Sequence, residues 1–153
     1  MVRSSRFLWL MVWLSLTIAS QAASARILKV LPHYLDDEGR HSLSPSLYER
    51  DAYQAFLRAN PDKRSALRFD INWKARGAGS ERLTLRLELR SSGREATEPL
   101  VIERPVKAGR FFGTWSSLHL EGETYRGFGQ LIAWRATLWR QDELLAEQKS
   151  FLW

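Results

Sequence analysis

The residues able to carry acid–base or metal chemistry are few and scattered. The chain of 153 residues holds three histidines, His33, His41 and His119, and no cysteine. No histidine pair has the H-x-x-x-H or H-E-x-x-H spacing that puts two ligands on one helical face. Without cysteine there is no disulfide, no thiolate nucleophile and no zinc–cysteine site. The densest polar run is Asp36-Asp37-Glu38-Gly39-Arg40-His41. A calcium loop alternates its ligands, as in D-x-D-x-D-G, so that they wrap one ion. Consecutive acids point different ways, so a solvated loop is expected here rather than a metal site. There is no G-x-S-x-G elbow. GRFFG and RGFG hold too few glycines, at the wrong offsets, to cradle a phosphate. Paired carboxylates for glycoside hydrolysis need to meet only in space, but the acids fall mostly on outward strand positions. The expectation is no catalytic residue, no metal and no cofactor, with a small hydrolase as the last of three functional readings.

Aromatic residues are the suggestive excess. Two of seven tryptophans, Trp9 and Trp13, lie in an N-terminal apolar block; Trp73, Trp115, Trp134, Trp139 and Trp153 follow it. Trp73 and Trp134 sit on apolar faces by alternation and are expected in the core, as is Trp115. Trp139 falls out of phase with Trp134, on a face shared with Arg135 and Thr137. Were Arg86 and Arg90 on a neighbouring strand, an Arg–Trp sheet surface would result. Arginine over tryptophan is common surface packing, and both residues are enriched in interfaces. Trp139, Arg135, Arg86 and Arg90 are therefore the candidate binding residues. Periodicity does not place Trp153.

The elements that must position these residues follow from hydrophobic period. Arg26 to Leu31 reads as a strand closed by Pro32, followed by a loop. Ser46 and Glu49 fit the S-x-x-E capping box of a helix start. Tyr48, Ala52, Ala55, Phe56 and Ala59 share one helical face, expected to pack on the rest of the protein. Asn60-Pro61 ends that helix. From Leu67 the period becomes two: Leu67, Phe69, Ile71 and Trp73, then, after a Gly77–Ser80 turn, Leu83, Leu85, Leu87 and Leu89. Shorter strands are expected at Leu100–Arg104, stopped by Pro105, and from Gly113 through Leu120. Gln130–Arg140 is a long strand with Ile132, Trp134, Ala136 and Leu138 inward. Leu144–Trp153 is the last strand, with broken alternation that implies a bulge or burial on both faces. Seven short strands with regular turns predict a mainly β, seven-stranded antiparallel sandwich with one helix inserted between the first two strands.

The N-terminus sets the expected compartment. Arg3 and Arg6 precede the apolar block Phe7–Ile18, and Ala23-Ser24-Ala25 supplies a small-x-small cleavage pattern. Residues 1–25 thus read as a secretory signal peptide, with 26–153 as one sandwich domain. The alternative is an inner-membrane anchor over residues 7–25, a stretch of 19 uncharged residues close to the ~20 that span a bilayer. Either way the domain is expected outside the cytoplasm, in the periplasm or the extracellular space. After Arg26 becomes the first residue, 21 Lys+Arg face 17 Asp+Glu, a net charge of +4. The signs alternate, without blocks of like charge. Together with export, this argues against nucleic acid as a partner.

The strand order resembles that of immunoglobulin and fibronectin type III domains. The segment Leu118 to Tyr125, L-H-L-E-G-E-T-Y, is similar to the region before strand F of fibronectin type III domains. That resemblance implies a corner in which the Tyr125 phenol bonds back to the chain. It covers roughly Leu67 to Trp153. The full chain also looks like small exported bacterial proteins of unknown function, which implies no activity, and a sandwich fold by itself specifies none. The leading expectation is a non-catalytic exported interaction or structural module whose partner is another protein or an extracytoplasmic polymer. The alternative is a carbohydrate- or polyanion-binding domain using the Trp139 surface.

Overall fold

The computed structural model describes residues 24–77, 82–93, 98–109 and 113–153. Residues 1–23 of the expected signal peptide and all but Gly77 of the expected 77–80 turn lie outside these. Seven strands run in chain order: β1 (Ser24–Leu35), β2 (Ala66–Arg76), β3 (Leu83–Ser91), β4 (Leu100–Val106), β5 (Thr114–Leu120), β6 (Leu131–Arg140) and β7 (Glu143–Lys149). They form two antiparallel sheets, β1-β2-β5 and β4-β3-β6-β7. Helix α1 (Leu47–Ala59) lies between β1 and β2, and the short α2 (Gly122–Arg126) lies between β5 and β6. The architecture is the mainly β sandwich that the alternating pattern predicts.

The core follows from the same period of two. Leu67, Phe69, Ile71 and Trp73 face Leu83, Leu85, Leu87 and Leu89 across the sandwich, each with at most 1% of its surface exposed. Leu118 and Leu120 add the third strand of one sheet, Ala136 and Leu138 the other. Burying apolar area of this kind is the main favourable contribution to folding, at ~25 cal/mol per Å².

The irregular points of the strands have identifiable causes. β1 runs through Pro32, and β4 runs through Pro105, because each is the edge strand of its sheet. An edge strand tolerates a residue with no N–H to give. β1 shifts register between Ile27 and Lys29, which lets both Ile27 and Val30 face the core. β7 carries a bulge where Leu138 pairs with Ala146 but Trp139 with Leu144. That accounts for the Leu144-Leu145 run. Phe151, Leu152 and Trp153 are not strand but a terminal turn, held by Ser150.

Three orientation expectations are corrected. Trp115 is not core: Leu118 and Leu120 set the phase of β5, so Trp115 points outward with 54% of its surface exposed. Ile132 stands at the start of β6 and is exposed; Trp134 only partly packs against the core. The third correction concerns α1, which docks by a face other than the expected one. Its buried residues are Gln54 and Leu57. Tyr48, Ala52, Ala55, Phe56 and Ala59 face solvent instead.

Candidate functional site

Helix α1 begins as its sequence directs. Ser46 Oγ accepts from Glu49 N–H at 3.5 Å. The reciprocal half of the capping box is replaced, since Ser46 N–H donates to Ser44 Oγ at 3.1 Å. Asn60 ends the helix, its N–H and its side-chain amide both donating to Phe56 O. Arg64 then returns its guanidinium to the carbonyls of Leu57 and Arg58, satisfying helix-end acceptors.

The inward side of α1 pairs a polar residue, Gln54, with an apolar one, Leu57, because it both caps a sheet edge and packs on it. Gln54 Oε1 accepts from Tyr34 N–H at 2.9 Å, while Gln54 Nε2 donates to Tyr34 O at 2.9 Å and to His41 O at 2.8 Å. Its amide thus acts as one unit of a further strand alongside β1, covering an edge that would otherwise leave main-chain groups unpaired. Leu57 is fully buried. Tyr53 donates its phenol to Asp36 Oδ2 at 2.6 Å.

Asp36 closes the acidic loop around itself. Its carboxylate also accepts from Glu38 N–H at 3.0 Å, Arg40 N–H at 2.8 Å and Arg40 Nε at 2.9 Å. Gly39, at φ +74°, makes the turn that brings Arg40 back. These bonds use the carboxylate as an anchor between loop and helix. Among the described residues no group of three or more acids, histidines or cysteines has the geometry to hold a metal ion.

All three histidines fall on the outer face of the β1-β2-β5 sheet. His33 pairs with Arg68 in register, and Arg68 with His119. The His33 and His41 rings lie 5.1 Å apart. Asp70 sits among them: Arg68 binds it at 3.0 Å, His33 Nε2 lies 3.7 Å away, and Ser117 Oγ donates to it at 2.6 Å. Burial pushes the His33 imidazole down to about 4, with Asp70 opposing and His41, Arg68 and Arg50 adding to the fall. Ser117 is bonded to the carboxylate rather than to a histidine. A serine nucleophile needs its hydroxyl on the general base, so this constellation does not support the hydrolase reading.

The candidate Arg–Trp residues share the outer face of the other sheet. β3 and β6 are neighbours, pairing Arg86 with Thr137, Glu88 with Arg135 and Thr84 with Trp139. The Arg86 guanidinium lies 5.0 Å from the Trp139 ring centre. Trp153, which the sequence left unplaced, folds back over the same face. Its ring stands 4.5 Å from Arg90 and 5.7 Å from Arg135. Arg86 is ion-paired with Glu103. Arg135 is paired with Glu88 at 2.9 Å and Glu147 at 3.3 Å. Trp139 Nε1 donates to Thr137 Oγ1 at 2.8 Å. Two of the three arginines on this face are thus already matched by carboxylates.

Among the structural residues, Trp73 donates to Ser116 Oγ at 3.0 Å from a fully buried ring. Tyr125 is half-buried on α2 against the core. Its phenol stands beside Arg64, and burial raises its pKa. Among the described residues, no helix is long and apolar enough to cross a membrane. Comparison with family models, with curated proteins and with solved structures gives no match.

Proposed function

We propose that this protein is a non-catalytic exported interaction module and that the outer face of α1 is its contact surface for another protein. The observation that carries this reading is the apolar side of α1 that faces solvent. Tyr48 is 84% exposed and Phe56 47%, and Leu43 and Leu47, earlier in the chain, are exposed as well. Ala52, Ala55 and Ala59 continue the same solvent side, and small residues allow a partner to approach closely. Single exposed apolar side chains are ordinary, but a contiguous apolar helix face is a feature of recognition surfaces.

The fold-level part of the reading is a fibronectin type III-like domain. Its fourth strand pairs with β3 rather than extending the β1-β2-β5 sheet, unlike the four-plus-three division of constant immunoglobulin domains.

A photo-crosslinking residue at position 56 or 48, in cells expressing the full chain, is expected to trap one discrete protein. The same group at Glu103, on the opposite sheet, is expected to trap none. Tyr48→Glu with Phe56→Glu should weaken that complex at least ~10-fold, since aromatic anchors carry most interface energy. Because both sites are exposed, their stability cost should stay within ~1 kcal/mol. Equal crosslinking from position 103, or none from α1, would count against the reading.

A further inference from the structure

The two sheets differ in how their outward cations are matched. On the β1-β2-β5 sheet, Arg26 pairs in register with Lys74, Lys29 with Asn72, and Asn72 with Trp115. Trp73 and Ala75 face the core, so Asn72, Lys74 and Arg76 point outward, as do their register partners. Arg104 and Lys107 of the neighbouring β4 side line a cleft of about 370 Å³ with Trp115, and the Arg104 guanidinium donates to Ser117 O at 2.8 Å. Among the described residues none of these six cations makes an ion pair. The carboxylates next to them are engaged elsewhere: Asp70 by Arg68 and Ser117, Glu103 by Arg86.

We infer that this end of the sheet, with Trp115 at its centre, is a binding site for an acidic polysaccharide. Strand spacings make the patch roughly 10 Å across and ~14 Å along, a length that suits a linear polymer better than a single small anion. Unmatched cations at this density raise a local positive potential, which attracts polyanions. The exposed indole offers a flat apolar plane for the C–H face of a sugar ring. Next to it in register, the Asn72 amide fills the space where a side chain at Gly113 would stand; a Cβ there would meet Asn72 Oδ1 at 2.5 Å. That fixes a polar group beside the ring for sugar hydroxyls. The Trp139 face has the same residue types, but its Arg86 and Arg135 are neutralised by Glu103, Glu88 and Glu147.

The test uses the purified protein and immobilised heparin as the probe, with neutral dextran, polyglutamate and oligothymidylate as competitors. Retention on heparin is expected to fall with salt. The triple variant Lys29→Gln, Lys74→Gln, Arg76→Gln should lose at least ~10-fold in affinity and show a shallower salt dependence, because fewer counterions are released. Trp115→Ala should lose several-fold with the salt dependence unchanged, separating stacking from charge. Arg86→Gln, Arg90→Gln, Arg135→Gln should bind as the parent does. The inference fails if that last variant loses as much as the first, since retention would then report net charge alone. It also fails if Trp115→Ala has no effect, or if polyglutamate or oligothymidylate competes better than soluble heparin. Crosslinking from α1 is independent of all these outcomes.

Discussion

Trp73→Ala is expected to cost about 3–5 kcal/mol of folding stability, the range for truncating a large buried aromatic. The side chain is fully buried in β2, inside a core of leucines, isoleucine and phenylalanine that is too tightly packed to collapse into so large a gap. The truncation also leaves Ser116 Oγ without its indole donor. A domain of this size has a total stability of only ~5–15 kcal/mol, so the variant should be largely unfolded or close to it. Trp73→Phe keeps most of the volume and loses the hydrogen bond, so a smaller cost of about 1–3 kcal/mol is expected. Urea unfolding followed by circular dichroism measures both. A shifted midpoint with unchanged slope would show that stability, not the unfolded state, has moved. A loss below ~1 kcal/mol for Trp73→Ala would mean the core is not packed around this ring.

Asp36→Ala is expected to cost about 1.5–3 kcal/mol at neutral pH, because bonds to a charged acceptor are worth more than neutral ones. Tyr53, Arg40 and the turn at Gly39 would all be released together. The contribution depends on pH with a definite sign. Burial pushes the Asp36 carboxyl up, but hydrogen bonds from Tyr53 and Arg40 outweigh it and hold the group at about 2, below the ordinary 3.8. The folded state therefore binds fewer protons than the unfolded one in this window. The stability gap between parent and Asp36→Ala should be full above pH 3.8 and shrink as pH falls towards 2. His33 acts earlier by the same rule. Held neutral at about 4 against an ordinary 6.5, it withdraws its contribution as pH falls from 6.5 to 4. Chemical denaturation at stepped pH should resolve the two losses in that order. A gap for Asp36→Ala that stays constant down to pH 2 would contradict the anchoring role.

The strands were legible because one face of each is buried, and burial writes a period of two into the chain. Leu67–Trp73 and Leu83–Leu89 are cases where nothing competes with that signal. Trp115 has the residue type of a core position, but Leu118 and Leu120 fix its phase outward. Pro32 and Pro105 were read as strand stops; only the sheet order, a non-local property, shows that both lie on edges. The helix is the instructive miss. Its length and its Ser46 start are local and were readable. Its orientation is decided by Gln54 bonding Tyr34, twenty positions away, and by Tyr53 bonding Asp36. Amphipathicity predicts which side is apolar, not that the apolar side faces inward. The Trp139 and Arg86 neighbourhood followed from alternation once β3 and β6 were adjacent. The folding-back of Trp153 onto that face depends on a terminal turn that no period encodes.

Helix α1 docks by Gln54 and Leu57 and leaves Tyr48 and Phe56 to solvent. The natural chain has no cysteine, so a single introduced thiol reports accessibility without background. Tyr48→Cys and Phe56→Cys should react with a maleimide within ~10-fold of the unfolded-chain rate, while Gln54→Cys and Leu57→Cys should be slower by ~100-fold or more, because they must wait for local opening. The opposite order, with position 56 protected and position 57 reactive, would show that the helix packs by its apolar face and would remove the proposed contact surface.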